Sequence, residues 1–260
     1  MQKLIWKKNK SLIKTRLKQF YDKEAKKYYE TRQKERKEFS YLLQEIQSNS
    51  QKKIRILEFW CGGGRFIKHL HESYKGEIEY VGIDLSSELL KYAKQDNPQD
   101  TFICSDISEY IQTCEQESFD FIVGTSSFQH IPSYKERLFL MKHFYRILRY
   151  GGKVLMLNWA FSNWFKKKYR KQVLIARIKW LLTFGKSNPR DIYVPRKNQK
   201  GEVQERFYHL FPLEEYKDLT LYSGFTLKES TFIDKNGSLT PQESDSNSSL
   251  FVVEKNPIVE

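Results

Sequence analysis

Apolar and polar positions along this chain fall in blocks. Five short apolar runs, KIRILEF (53–59), IEYVGIDL (78–85), DTFICSDI (100–107), SFDFIVGTSSF (118–128) and GKVLMLNWA (152–160), are each followed by a stretch of different periodicity. Continuous apolar runs of this length predict strands buried on both faces. Between them, GRFIKHLHESY (64–74) predicts a helix with Phe66, Ile67 and Leu70 on one face. SSELLKYAKQ (86–95) begins with serine and carries Glu88 in its first turn, the signature of a helix start. SYKERLFLMKHFYRILRYGG (133–152) predicts a long amphipathic helix closed by glycines. Strands alternating with helices predict an α/β chain with a doubly wound, mostly parallel sheet.

After residue 160 the pattern changes. NWFKKKYRKQVLIARIKWLLTFG (163–185) predicts helix and SNPRDIYVPRKNQKGE (187–202) a loop. Order returns with a helix (212–224), a strand (225–233), a polar loop (234–248) expected to be flexible, and a last strand (249–255). The expected organisation is a basic N-terminal helical extension (1–37), a core (38–160), a basic aromatic insertion (161–205) and the rest of the core (206–260).

Composition narrows the class. With 39% hydrophobic and 15% aromatic residues in 260, the chain can fill a large core. No apolar run is long enough to span a membrane, and the first residues do not resemble a signal peptide. Cys61, Cys104 and Cys114 show neither a metal-ligand spacing nor a disulfide framework, so a reducing cytoplasm is expected and no metal. The net charge of +13 is unevenly spread. Residues 1–37 hold 14 Lys/Arg against 4 Asp/Glu and residues 161–200 hold 12 against 1, which leaves a net −8 on the remainder. Two basic segments beside an acidic core point to a polyanion partner, either nucleic acid or a membrane surface, with a solvated lysine-rich surface as the plain alternative.

The candidate chemistry sits at strand ends. Glu58 closes the first run and is followed by Gly62, Gly63 and Gly64, where backbone can turn and approach a ligand. Asp84, with Leu85 after it, ends the second run, where a carboxylate can accept from ribose hydroxyls. Asp106 and Ile107 end the third run, and Thr125 lies in the fourth. Neither the three-glycine dinucleotide fingerprint nor a phosphate-binding loop is met. The order of acid and glycines, acid, acid, FDFIVGTSSFQH and LRYGGKVLML is more specific. Over residues 20–160 and 212–255 it resembles the class I S-adenosylmethionine-dependent methyltransferases.

The closing hairpin predicts an antiparallel last strand and the basic, aromatic-rich stretch after the fifth strand a helical insertion; the resemblance implies a seven-stranded Rossmann-like sheet and S-adenosylmethionine as cofactor. It also implies that Tyr28 packs at the cofactor and that Arg32, in YDKEAKKYYETR (21–32), pairs with its carboxylate. Three later segments, NWAF (158–161), DIYVPRK (191–197) and ERFYHLF (205–211), resemble the family that methylates the carboxymethyl group of the tRNA wobble uridine. The matching residues are Trp159, Asp191, Val194, Pro195, Arg206, Tyr208 and His209. Arg196 stands where that family often has tryptophan. A small activator subunit occurs in that family, and nothing in this sequence reports on one.

The expected acceptor-side residues are Arg206, Tyr208 and His209, orienting an anionic group, with His130 as a second candidate. A small-molecule or lipid-type methyltransferase and a non-catalytic tRNA-binding scaffold remain open. For the helix at 163–185 the readings are RNA binding, an anionic membrane surface, or a lid. Trp60 stands where such loops carry glycine. It either lines the pocket, or blocks it, or marks a glycine codon read as tryptophan.

Overall fold

The computed structural model describes residues 2–34, 36–49, 51–197, 201 and 203–256. A long helix, α1 (Gln2–Glu30), and a short one, α2 (Phe39–Gln47), precede the sheet. Then follow β1 (Lys53–Phe59), α3 (Arg65–Ser73), β2 (Glu77–Asp84), α4 (Ser87–Asp96), β3 (Thr101–Cys104), α5 (Ile107–Thr113) and β4 (Phe119–Thr125). A 3₁₀ turn at Phe128–His130 leads to α6 (Tyr134–Ile147) and β5 (Leu148–Trp159). Two helices, α7 (Asn163–Lys168) and α8 (Arg170–Leu182), and a ribbon of β6 (Asp191–Lys197) and β7 (Val203–His209) come next. The chain closes with α9 (Leu213–Ser223), β8 (Thr226–Asp234), β9 (Leu239–Thr240) and β10 (Ser246–Glu254).

The main sheet runs β3-β2-β1-β4-β5-β10-β8-β9. The first five strands pair in parallel, and β10 is antiparallel to both β5 and β8. The sheet has eight strands where seven were expected; the extra one is the two-residue β9. Period-two alternation within β1 divides the core. Leu57 and Phe59 pack with Phe144 of α6 and Tyr216 of α9, and Ile54 and Ile56 with Phe39, Ile67 and Leu90 of α2, α3 and α4. The strand order reverses between β1 and β4, the place where open α/β sheets hold ligands.

Three further boundaries differ from expectation. The helix read as 133–152 ends at Ile147, and Leu148–Gly152 already belongs to β5, where a register shift opposite Phe119/Phe121 absorbs the glycine pair. The stretch read as a loop contains β6, whose Ile192 and Val194 are buried in alternation, and whose Pro195 is tolerated because the ribbon has only two strands. The polar loop at 234–248 holds β9, a 3₁₀ turn and the start of β10.

Candidate functional site

Where β1 ends, the backbone turns left-handed three times, at Trp60 (φ 57°), Gly62 (φ 57°) and Gly64 (φ 73°). Gly64 opens α3, and a Cβ there would come within 2.8 Å of the Asn97 side chain. The turn directs an amide at the second strand: Gly62 N–H donates to Asp84 Oδ2 at 2.8 Å, while Ser86 N–H, at the start of α4, donates to Asp84 Oδ1 at 2.8 Å. Trp60 occupies a conformation that costs a residue with a Cβ about 1–2 kcal/mol. Its ring lies 5.5 Å from that of His130, and its Nε1 is buried without a partner among the described residues.

Burial dominates the acids of this edge. Glu58 is fully enclosed, accepts from Tyr80 Oη at 2.6 Å and Thr125 Oγ1 at 3.3 Å, and is pushed up to about 8 by burial. Burial likewise raises the Asp84 carboxyl to about 6, against the pull of its backbone donors. Asp106 behaves differently. It caps α5 through Ser108 N–H, and its ion pair with Lys14 at 2.8 Å overcomes burial and holds its carboxyl below the ordinary value. Lys14 also reaches Glu136 at 2.7 Å. Ile107 packs in the core.

A cleft of ≈ 510 Å³ opens over the β1–β4 switch point. Tyr28, Arg32, Glu58, Trp60, Gly62 and Gly64 line it. Thr125, His130, Arg206 and Tyr208 line it as well. Beside it a pocket of ≈ 50 Å³ reaches Asp84 and Leu85, and Leu17, Lys18 and Tyr21 of α1 close it over. That volume suits little more than a water or two. The structure therefore brings together the expected residues of the open cleft and of the Asp84 pocket, but leaves Asp106 and Ile107 outside both.

Strand alternation sorts the acceptor-side candidates. Arg206 and Tyr208 are two residues apart on β7 and share the face that meets the cleft. His209 falls on the opposite face. Its Nδ1 lies 2.7 Å from Asp191 Oδ1 and its Nε2 2.8 Å from Glu215 Oε2, so both ring nitrogens are engaged in a buried network away from the cleft. His130 does reach the cleft. Its Nδ1–H donates to the Phe207 carbonyl at 2.7 Å, and burial holds the ring down to about 3, so it is a neutral imidazole at neutral pH.

Arg206 is 4% exposed, and no ion pair joins it to a carboxylate among the described residues. Its Nη1–H donates to Tyr21 Oη at 3.2 Å, its guanidinium lies over Phe20 and Tyr208, and its Nε is buried without a partner among the described residues. Tyr21, Ser126 and Arg36 are cleft residues the sequence reading did not single out. Ser126 takes φ 60° directly after β4 and accepts from Arg36 Nη1 at 3.0 Å. Tyr21 opens the quoted YD segment, which was its available signal; a left-handed serine has none.

Residues 56–152 match the family described as "Methyltransferase domain". The chain is 27% identical over 141 residues to malonyl-[acyl-carrier protein] O-methyltransferase 1 of Ilyobacter polytropus, covering 53% of this chain and 50% of that one. It is 22% identical over 160 residues to the Saccharomyces cerevisiae tRNA (carboxymethyluridine(34)-5-O)-methyltransferase, covering 61% and 55%. The chain thus spans about half the length of these curated relatives. An S-adenosylmethionine-dependent methyltransferase structure from Methanosarcina mazei superposes with a TM-score of 0.61 at 20% identity, over 81% of this chain and 96% of that one. The chain carries a methyltransferase domain with the fold of the S-adenosylmethionine-dependent class. The donor set fits that cofactor: a carboxylate at Glu58, the glycine turn and a guanidinium at Arg32 line the cleft, and a second carboxylate, Asp84, lines the pocket beside it.

Proposed function

We propose that this chain is an S-adenosylmethionine-dependent O-methyltransferase that esterifies a carboxylate, and that the carboxylate is carried on a modified tRNA wobble uridine. The observation that carries the reading is Arg206: a buried guanidinium on the wall of the cleft that also holds the glycine turn, its Nε without a partner among the described residues. A buried cation without a counter-ion favours an anionic ligand.

The cofactor supplies an electrophilic methyl group, and the protein's task is alignment. Asp84 would hold the ribose hydroxyls, Tyr28 and Arg32 the aminoacyl end, and Gly62 and Gly64 leave room for both. Arg206 would orient the acceptor carboxylate with Tyr208 beside it. An ionised carboxylate is already nucleophilic, so no general base is required, which accords with a neutral His130 engaged to a backbone carbonyl. Both curated relatives support this chemistry by name, one through a malonyl and one through a carboxymethyl group. The basic segment at 1–37 supports a tRNA-borne acceptor.

A second reading, a small-molecule or lipid-type carboxylate, is favoured by the apolar surface of α8. Methyl transfer into a tRNA pool and into a panel of carboxylate metabolites separates the two. Arg206→Ala should lower ester formation by roughly a hundredfold in either case and leave cofactor affinity in place; unchanged turnover would overturn the assignment.

A further inference from the structure

We propose that α8 seats this protein on the surface of an anionic lipid bilayer, independently of which carboxylate it methylates. Of the fifteen large apolar side chains exposed among the described residues, eight lie between Trp164 and Phe184. Such crowding on one short segment marks an interaction surface, whereas scattered exposed residues need no explanation.

The helix is two-faced. Val173 and Ala176 point inward, in one cluster with Ile192, Val194 and Tyr208. Leu174, Ile178 and Leu181 recur at i, i+4 and i+7 on a different face, and Ile175 and Leu182 widen that stripe. The thirteen residues of α8 span about 20 Å, enough to lie in the plane of a membrane surface and far too short to cross one. At its end the backbone turns left-handed at Phe184 (φ 50°) and Gly185 (φ 78°), which leaves the Phe184 ring 93% exposed beyond the last turn.

Charge selects the occupant. Arg170 and Arg177 run along one border of the stripe and Lys179 along the other, while Lys171 sits within it on a stem long enough to lift its ammonium clear. No Asp or Glu occurs anywhere from residue 137 to 190. An apolar stripe rimmed only by cations is complementary to acyl chains beneath anionic headgroups. RNA offers a poorer match, because leucine and isoleucine cannot stack on bases as aromatics do. A second copy would bring the same cations against themselves.

The test is flotation of the full chain with vesicles of phosphatidylcholine alone and of equal parts phosphatidylcholine and phosphatidylglycerol. The wild type should float with the anionic vesicles and not with the neutral ones. Leu174→Gln, Ile178→Gln and Leu181→Gln together keep good helix formers at exposed positions, and should lower the bound fraction more than about tenfold. Circular dichroism identical to the wild type establishes that the fold is kept. Equal flotation of the triple variant would overturn the proposal. So would a wild type that ignores anionic vesicles, or whose vesicle binding depends on the cations alone and is displaced by tRNA. A dimer in solution that the triple variant dissolves would assign the face to a second copy and would also overturn it.

Discussion

Arg206 Nη1 donates to Tyr21 Oη across 3.2 Å, which ties the β6–β7 ribbon to α1 at the wall of the cleft. A charged donor with a neutral phenolic partner keeps hydrogen-bonding capacity for an anion. Arg206→Ala should lower kcat/KM for the carboxylate acceptor by roughly a hundredfold, the scale of a lost charge-assisted hydrogen bond of about 1.5–3 kcal/mol. Cofactor binding by calorimetry should change little. Tyr21→Phe should have a much smaller effect, because the guanidinium remains.

Trp60 gives the second expectation. The left-handed backbone there suits glycine, and the ring fills space on the cleft wall. Trp60→Gly should relieve the backbone cost while forfeiting ring packing, so thermal stability should move little. Cofactor affinity should rise by roughly tenfold, about 1.4 kcal/mol. Weaker binding in the variant would show instead that the indole is part of the cofactor's bed.

The acid edge makes cofactor binding pH-dependent. Burial raises Glu58 to about 8 and Asp84 to about 6, so around pH 6–7 Glu58 still holds its proton. A sulfonium-bearing ligand favours the ionised carboxylates, so affinity should rise as pH rises from about 6 to about 8, with proton release on binding. Calorimetry in buffers of different ionisation enthalpy reads that release directly, and Glu58→Gln should remove most of it. The same shift acts on folding with the opposite sense: the native state binds more protons than the unfolded chain between the ordinary carboxylate range and about 8, so Glu58 lowers stability as pH rises through that window.

Lys14 bridges Asp106 and Glu136 and so helps hold α1 over the pocket at Asp84. An adenosine seated against Asp84 is accommodated more readily if α1 moves away from that pocket. Lys14→Ala should speed cofactor association in stopped-flow fluorescence by several-fold. Hydrogen exchange in α1 should change on cofactor addition; an unchanged exchange pattern would contradict movement of the helix.

The sheet was legible because its strands are buried on both faces and therefore read as unbroken apolar runs. The glycine turn and its acids were legible because they stand at the ends of those runs. β6 was hidden by Pro195 and Arg196, residues a two-stranded ribbon admits and a central strand does not. Period-two alternation in RFYH places His209 on the other face from Arg206 and Tyr208, and it becomes informative only once the segment is known to be a strand. Asp106 was expected at a strand end, but β3 stops at Cys104 and the carboxylate caps α5. That Lys14 would claim it depends on a contact across more than ninety residues, which no local pattern encodes.

The most direct test of the central claim is transfer of a labelled methyl group from S-adenosylmethionine into total tRNA, followed by mild alkali and nucleoside analysis. A methyl ester on a carboxymethyl uridine predicts label in the tRNA that alkali releases as methanol, with the release lost in Arg206→Ala. Label that survives alkali, or no label in tRNA from a protein that binds the cofactor, would contradict ester formation on that nucleoside.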